Sequence, residues 1–200
     1  GWTRRIISTQ GGVACEPFYN KMLDFAMEFY VAHGSIECVG YSLFETDSRG
    51  IYKGNCLASN EEIERRLSVY INPEILGRTR NALMQELLKL ANGIYQGYLG
   101  VDMMVVHNAD GYALHPCVEV NWRMNMGVVS RLFFDRYMSP SSSGSYVIEF
   151  YPNKGEALNF HEEMKRKYPL RLQEGRLAEG YLSLTPVFFD TAYQIYVKAK

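Results

Sequence analysis

One strand-like run, residues 116–127 (PCVEVNWRMNMG), constrains the fold and the chemistry of this chain more than any other segment. Its valines alternate with polar residues. Because side chains two apart in a strand point the same way, one face carries Glu119, Asn121 and Arg123. An acid, an amide and a guanidinium on one face can hold a divalent cation together with the phosphates that it neutralises. The alternative is a half-exposed strand whose polar face simply meets water.

A second strand is expected upstream, at residues 98–106, followed by a turn at 108–111 that contains Asp-Gly, a strong hairpin signal. If the two strands pair, Asp102 lies near Glu119. Two buried carboxylates repel each other, and one of them is protonated unless a cation lies between them. The predicted hairpin therefore favours a cation site over a plain solvent-exposed strand.

Together these motifs resemble the C-terminal catalytic half of an ATP-grasp ligase: a Gly-Val-Asp strand ending at Asp102, a hairpin, an E-x-N-x-R strand and a glycine at Gly127. The resemblance implies that the chain binds ATP and Mg²⁺, with the metal held by Asp102, Glu119 and Asn121. It also implies that Arg123 is the catalytic residue, which stabilises charge on a phosphate or on an acyl-phosphate intermediate.

A second segment is similar to the hinge that ATP-grasp enzymes wrap around adenine. Residues 12–18 are expected to form a short strand ending in a loop. By the resemblance, the backbone of Glu16, Pro17 and Phe18 binds adenine. Asp24 then accepts hydrogen bonds from the ribose hydroxyls, since a carboxylate is an acceptor only. The alternative is that the two acids are ordinary loop and strand-edge residues.

Two further residues are weaker candidates for the nucleotide site. Family members often carry a basic residue that approaches a phosphate, and Lys53 is the nearest match, although a strand lysine is more often a solvated edge residue. Glu28 lies an even number of residues from Asp24, so it shares that strand face and is a weaker substitute for it.

The resemblance implies an α+β fold, an ATP-grasp-like antiparallel sheet with helices packed on it. Residues 1–138 are expected to form the nucleotide- and metal-binding region, and residues 139–200 a C-terminal α/β extension packed on the same core. The patterns predict helices at 2–10, from 59 onward, 73–95, 126–137 and 153–168. Strands are predicted near 12–18, 23–32, 35–46, 50–58, 146–151, 181–189 and 192–199, besides the two strands of the cation site.

Composition limits the classes of partner. A net charge of −1 gives no argument for nucleic acid or for an anionic membrane. No apolar run approaches the ~20 residues of a membrane span, and no signal peptide is recognisable. The four cysteines show no C-x-x-C spacing and are expected to be free buried thiols in a reducing cytoplasm. They are Cys15, Cys38, Cys56 and Cys117.

The resemblance covers residues 12–135 and departs from the family in one respect. ATP-grasp enzymes also have an N-terminal domain and a lysine-bearing Gly-rich loop before the hinge. Here Gly11 and Gly12 are preceded by no lysine, so neither the domain nor the loop is recognisable. The 200 residues are therefore expected to be a fragment that binds ATP weakly and shows no turnover alone.

By the resemblance, the whole protein is an ATP- and Mg²⁺-dependent ligase that joins a carboxylate to an amine or a thiol through an acyl-phosphate. Its partners are then small-molecule substrates. One alternative is a non-catalytic module of the same fold that binds a nucleotide or another ligand. Another is a plain α+β interaction domain with an accidental E-x-N strand. A further alternative is a kinase-like phosphotransferase, since it also needs ATP and acidic metal ligands, although no H-R-D or D-F-G pattern occurs. The pattern names neither the acceptor carboxylate nor the nucleophile nor the oligomeric state.

Overall fold

The computed structural model describes residues 1–47 and 50–200. Its helices are α1 (Trp2–Gln10), α2 (Asn60–Leu67), α3 (Pro73–Ala91), α4 (Met126–Tyr137) and α5 (Glu156–Lys167). Its strands are β1 (Lys21–Ala32), β2 (Ser35–Thr46), β3 (Tyr52–Leu57), β4 (Gly97–Asn108), β5 (Gly111–Asn121), β6 (Gly144–Phe150), β7 (Arg171–Gln173), β8 (Arg176–Ser183) and β9 (Tyr193–Ala199).

The described strands form one nine-stranded sheet in the order β5-β4-β1-β2-β3-β6-β9-β8-β7. Neighbouring strands run antiparallel. Three pairings between strands distant in sequence, β1 with β4, β3 with β6 and β6 with β9, join the local hairpins into the sheet. This architecture confirms the predicted α+β fold with helices packed on a large antiparallel sheet.

One face of the sheet carries the main hydrophobic core. Alternation along β1 buries Phe25, Met27 and Phe29 on this face, against α2 and α3. The two helices contribute apolar side chains at helical spacing to the same cluster. These side chains are Ile63 and Leu67 of α2, and Leu76, Leu87 and Ala91 of α3. Packing on one face of the strands leaves the opposite face free for polar side chains.

Helix α4 packs on that opposite face. It begins after Asn125, whose side-chain oxygen accepts a hydrogen bond from the backbone N–H of Val128 at 2.9 Å. Farther along α4, Phe134 packs in a second core cluster with residues of β3, β6, β8 and β9. That cluster also contains Leu57, Met138, Tyr146, Leu177, Val197 and Ala199. The start of α4 is thereby fixed over the centre of the sheet.

Several predicted helix ends are confirmed. Helices α1 and α4 have the predicted bounds, and α3 begins at Pro73 as predicted, with the Asn72 side chain as its cap. However, α3 ends at Ala91 rather than at Tyr95. A turn follows in which Gly93 has a φ of +75°, a conformation that ends a helix and that glycine adopts without strain.

The strand predicted near 12–18 is wrong. Residues 12–20 form neither helix nor strand, and β1 begins only at Lys21. The segment is almost entirely exposed, and Pro17 has no N–H to donate to a neighbouring strand. Its end touches the sheet, where Asn20 O accepts from the backbone N–H of His107 on β4, but none of the described strands pairs with residues 12–18. The predicted terminal hairpin is partly correct. β8 and β9 do pair, but β8 covers Arg176–Ser183 rather than residues 181–189.

The four cysteines are free thiols, as predicted. Two of them, Cys15 and Cys117, are exposed, so the expectation that all four are buried is wrong. The reason is positional, because Cys15 lies in the segment without secondary structure and Cys117 lies on the edge strand β5. No helix among the described residues combines the length and the apolar character needed to cross a bilayer.

Candidate functional site

The β4–β5 hairpin brings together the side chains predicted to bind the metal. Its register places Asp102 opposite Glu119 and Gly100 opposite Asn121. The amide nitrogen of Asn121 donates to Asp102 Oδ2 at 3.2 Å, and Arg123 Nη2 donates to Asn121 Oδ1 at 2.8 Å. The predicted acids, amide and guanidinium therefore form one connected polar cluster.

The two acids of this cluster repel each other. Burial and then the nearby Glu119 carboxylate raise the pKa of Asp102 to about 6, against the lowering effects of Asn121 and Arg123. Glu119 itself is exposed. A cation between the two carboxylates would relieve the repulsion and favour the charged form of both acids.

The donor set fits Mg²⁺, which prefers oxygen ligands and usually retains several waters. Among residues 1–47 and 50–200, no three or more His, Cys, Asp or Glu side chains cluster in a way that could hold a metal. A three-ligand set at this position therefore requires the amide oxygen of Asn121. That oxygen now accepts from Arg123, so it exchanges partners if a metal binds.

A cleft of about 270 Å³ opens beside the cluster, between the sheet and the start of α4. The cleft continues from the acids across β1 and β2 to β3, and both polar and aromatic side chains line it. They are Glu28, Ser42, Phe44, Thr46, Tyr52, Asn55, Asp102, Glu119, Asn121, Arg123, Asn125 and Met126, together with Gly50 and Gly127.

Glu28 is fully buried at the base of this cleft. Its carboxylate accepts from Ser42 Oγ at 2.7 Å and from Asn125 Nδ2 at 3.1 Å. Burial raises its pKa to about 7, against the lowering effect of these two hydrogen bonds. A Cβ added at Gly127 would lie 2.0 Å from Glu28 Oε1, and one added at Gly100 would lie 2.3 Å from Oε2. Both glycines therefore allow the sheet and α4 to enclose this carboxyl group.

The structure places Asp24 on the same sheet face, close enough to Asp102 to act on its pKa. Its Oδ2 accepts from Lys21 Nζ at 2.5 Å and from Thr46 Oγ1 at 3.0 Å. Its predicted role in binding ribose stays a prediction. Lys53 is exposed and lines an adjoining groove of about 760 Å³, not the cleft with Arg123.

No helix or strand among the described residues places the predicted adenine hinge beside the acid cluster. Glu16, Pro17 and Phe18 are exposed and belong to the segment before β1 that has no strand. Phe18 is fully exposed. Their role in binding adenine stays a prediction, although the strand on which it was based is absent among the described residues.

Sequence reasoning missed several cleft residues. Ser42, Thr46 and Asn55 line the cleft, and Lys21 binds the Asp24 carboxylate. The alternation of side chains along β2 could have identified Ser42 and Thr46, because Ser42, Phe44 and Thr46 share one face of that strand. Asn125 also had a signal, since an asparagine preceding a helix start is a preferred N-cap.

No protein-family model matches this sequence, and no curated protein matches it. Solved structures do. A biotin carboxylase–βγ-ATP complex from Campylobacter jejuni matches with a TM-score of 0.50 and 12% identity, over 99% of this chain and 46% of that one.

Two further solved structures match less closely. For an L-amino acid ligase from Bacillus licheniformis, the TM-score is 0.46 and the identity 14%, over 91% of this chain and 49% of that one. An N5-carboxyaminoimidazole synthase from Aspergillus clavatus, in complex with ADP and 5-aminoimidazole ribonucleotide, matches with a TM-score of 0.42 and 12% identity. The match covers 90% of this chain and 48% of that one.

These structural relatives are ATP-grasp ligases. This chain spans about half the length of each of the three. At 12% identity, the likeness to biotin carboxylase establishes the fold and nothing finer. The chain therefore has an α+β fold of the ATP-grasp type.

Proposed function

We propose that this chain carries the metal- and phosphate-binding part of an ATP- and Mg²⁺-dependent ligase that joins a carboxylate to an amine or a thiol. One observation carries the proposal. Two carboxylates, an amide and a guanidinium, from Asp102, Glu119, Asn121 and Arg123, form one cluster at the mouth of a cleft. In this proposal the first three residues hold Mg²⁺ and Arg123 is the catalytic residue.

The proposed reaction begins when the substrate carboxylate attacks the γ-phosphate of ATP and forms an acyl-phosphate and ADP. An amine or a thiol then attacks the acyl carbon, and inorganic phosphate leaves. The protein positions the reactants and stabilises developing charge. Arg123 supplies a fixed positive charge beside the reacting phosphate. When bound, Mg²⁺ neutralises charge on the phosphate oxygens.

The 200 residues alone are proposed to bind Mg²⁺-nucleotide weakly and to show no turnover. The cluster supplies the groups for the metal and for one phosphate charge, whereas the segment proposed to bind adenine is exposed and has no strand. Measurable ligase turnover by a clean preparation of these residues would refute this part of the proposal.

Thermal unfolding with and without Mg²⁺-ADP tests the nucleotide site. A ligand that binds only the native state raises stability by RT ln(1 + [L]/Kd), so millimolar nucleotide reveals even weak binding. We expect a magnesium-dependent rise in Tm that disappears in Glu119→Gln. The matched control is Glu37→Gln, an exposed glutamate on β2 outside the cleft, which should keep the rise. A rise that survives Glu119→Gln contradicts the metal assignment.

One observation favours a second candidate, a non-catalytic binding module of the same fold. The proposed adenine hinge, Glu16 to Phe18, forms no strand and lies exposed. A module of this kind shows the magnesium-dependent Tm rise but releases no phosphate from ATP, even within a longer protein that supplies the missing segments. Phosphate release by such a protein, lost in Glu119→Gln, decides for the ligase.

A further inference from the structure

The side chain of Asn55 on β3 is buried in an unusual state. Only 3% of the residue is exposed. Its Oδ1 accepts a hydrogen bond from the Tyr52 hydroxyl. Its amide nitrogen, by contrast, has no hydrogen-bond partner within residues 1–47 and 50–200. A buried donor without a partner destabilises the folded protein, so this one requires an explanation.

A second buried side-chain amide in the same protein has hydrogen-bond partners for both its nitrogen and its oxygen. Gln194 on β9 is fully buried, and its Nε2 donates to the Tyr181 hydroxyl at 2.5 Å and to Ser183 Oγ at 2.9 Å. Its amide oxygen accepts from the Tyr151 hydroxyl. The fold therefore satisfies a buried amide where the amide serves the structure alone. Asn55 differs because it lines the cleft that contains the acid cluster.

The position of Asn55 in the sheet separates it from the metal end of the cleft. β3 lies four strands from β5 in the sheet order. Neighbouring strands are about 4.8 Å apart, so the two strands are separated by roughly 19 Å across the sheet. Phe44 and Tyr52, whose ring centroids are 6.4 Å apart, line the same end of the cleft as Asn55. A ligand group bound there is remote from phosphates held by Asp102 and Glu119.

We propose that Asn55 determines substrate specificity by donating from Nδ2 to an oxygen of the carboxylate substrate. This inference rests on the proposed function, since it takes the cleft as the ligase site. The reacting carboxylate has to meet the γ-phosphate at the Asp102 end. The oxygen at Asn55 is therefore a second one, remote from the first. The substrate class is a long-chain carboxylic acid that carries a carbonyl, hydroxyl or carboxylate oxygen at its far end, in preference to an alkyl acid of the same length.

Tyr52 controls access to this donor. Nδ2 is covered from solvent, so contact with a ligand requires a side chain to move. Tyr52 is half-buried and holds the other end of the same amide, which makes its ring the group placed to move. A site built to hydrogen-bond a substrate oxygen discriminates strongly against an analogue without it, because the buried donor is then left unpaired.

Matched pairs of acids test the proposal on the full 200-residue chain in the presence of Mg²⁺-ADP. Decanoate is compared with decanedioate, and undecanoate with 10-oxoundecanoate, so that each pair has one chain length. Binding is measured by calorimetry and by Tm. We expect wild type to bind at least one oxygenated acid at least tenfold more tightly than its alkyl match, and Asn55→Leu to lose this preference. Asn55→Ala provides the same test if the leucine variant does not fold.

The stability of the ligand-free variants gives an independent readout. Asn55→Leu removes an unpaired donor, but it also removes the oxygen that accepts from the Tyr52 hydroxyl, so we expect the two effects to offset and Tm to change by less than about 2 °C. Gln194→Met, the matched control, removes an amide with satisfied bonds and should lower Tm, while the preference for the oxygenated acid is retained. A purely structural role for Asn55 predicts that Asn55→Leu lowers Tm as much as Gln194→Met does, and that result would overturn the proposal.

Two further outcomes would also overturn it: an oxygenated acid that binds no better than its alkyl match, or a preference that persists in both Asn55 variants. Failure of the proposed function is recognised separately. In that case Mg²⁺-ADP does not raise the Tm of wild type, and the acid pairs are then compared without nucleotide. Loss of the acid preference in Asn55→Leu, with the nucleotide effect unchanged, supports this inference by itself.

Discussion

Asn125 Nδ2 donates to Glu28 Oε2 across 97 positions of sequence, at a distance of 3.1 Å. The same Asn125 side chain caps α4 through its oxygen. A single asparagine therefore connects the buried carboxyl of β1 to the start of the helix that covers the cleft. The connection matters because the turn between β5 and α4 carries Arg123.

Glu28 is expected to make stability depend on pH. Burial raises its pKa from an ordinary 4.5 to about 7. Between these values the folded protein holds a proton that the unfolded chain has released, so stability falls as pH rises from about 4.5 to about 7. The loss amounts to at most about 3 kcal/mol at 1.36 kcal/mol per pKa unit. Urea denaturation at a series of pH values measures it.

Glu28→Gln should reduce this pH dependence to the part that Asp102, with its pKa raised to about 6, contributes at lower pH, and should raise the stability above pH 7 relative to wild type. Glu37→Gln, an exposed glutamate on the neighbouring strand, serves as the control and should leave the profile unchanged. If stability falls as steeply with rising pH in Glu28→Gln as in wild type, another group is responsible for the pH dependence.

Gly127→Ala is expected to destabilise the fold by about 1–3 kcal/mol, because overpacking forces neighbouring groups to shift. The added Cβ would lie 2.0 Å from Glu28 Oε1 and 2.4 Å from Ser42 Oγ. Gly77→Ala is the matched control within α3, where the Cβ meets nothing within 4 Å. There we expect a gain of about 0.5–1 kcal/mol from helix propensity. Equal effects of both variants in thermal unfolding would contradict the close packing at Glu28.

Asn125→Ala should cost about 2 kcal/mol, near the upper end for loss of a helix cap. Besides the cap, it removes a hydrogen bond from a buried carboxylate. Asn72→Ala removes the exposed cap of α3 and is expected to cost about 1 kcal/mol. Denaturant midpoints of the two variants measure the difference. If Asn72→Ala proves the costlier change, the Glu28–Asn125 bond adds no stability.

Glu119→Gln is expected to lower the pKa of Asp102 from about 6, because it removes the carboxylate that is the second cause of the rise after burial. Carboxyl chemical shifts followed by NMR during a pH titration of the ligand-free protein report this value. Glu37→Gln should leave it at about 6. An unchanged pKa in Glu119→Gln would mean that burial and the nearby Asp24, rather than Glu119, raise the pKa of Asp102.

Local patterns predicted that Asp102, Glu119, Asn121 and Arg123 form one cluster, whereas the features that they missed depend on pairings between strands distant in sequence. Asp102 and Glu119 lie on consecutive strands joined by a short turn, so alternation and hairpin geometry were sufficient. The bounds of α4 followed from its apolar face in the same way. Glu28 was placed on the correct face, but its burial depends on Gly127 and Asn125, which reach it only through the pairing of β1 with β4.

The remaining differences have equally specific causes. The short apolar run at the start of residues 12–18 favoured a strand, but a strand requires a neighbour, and none of the described strands pairs with this segment. The unpaired state of Asn55 was also beyond prediction. It depends on the absence of a partner for Nδ2 in the folded protein, which no spacing along the chain expresses.

The last strand of the sequence, β9, lies inside the sheet between β6 and β8. β7 and β8 join the other strands through it, and Val197 of β9 packs in the core cluster that holds α4. During synthesis the sheet therefore remains divided until residues 193–199 have left the ribosome. Until then the edge of β6 is open to pairing with other chains, which exposes the nascent protein to aggregation.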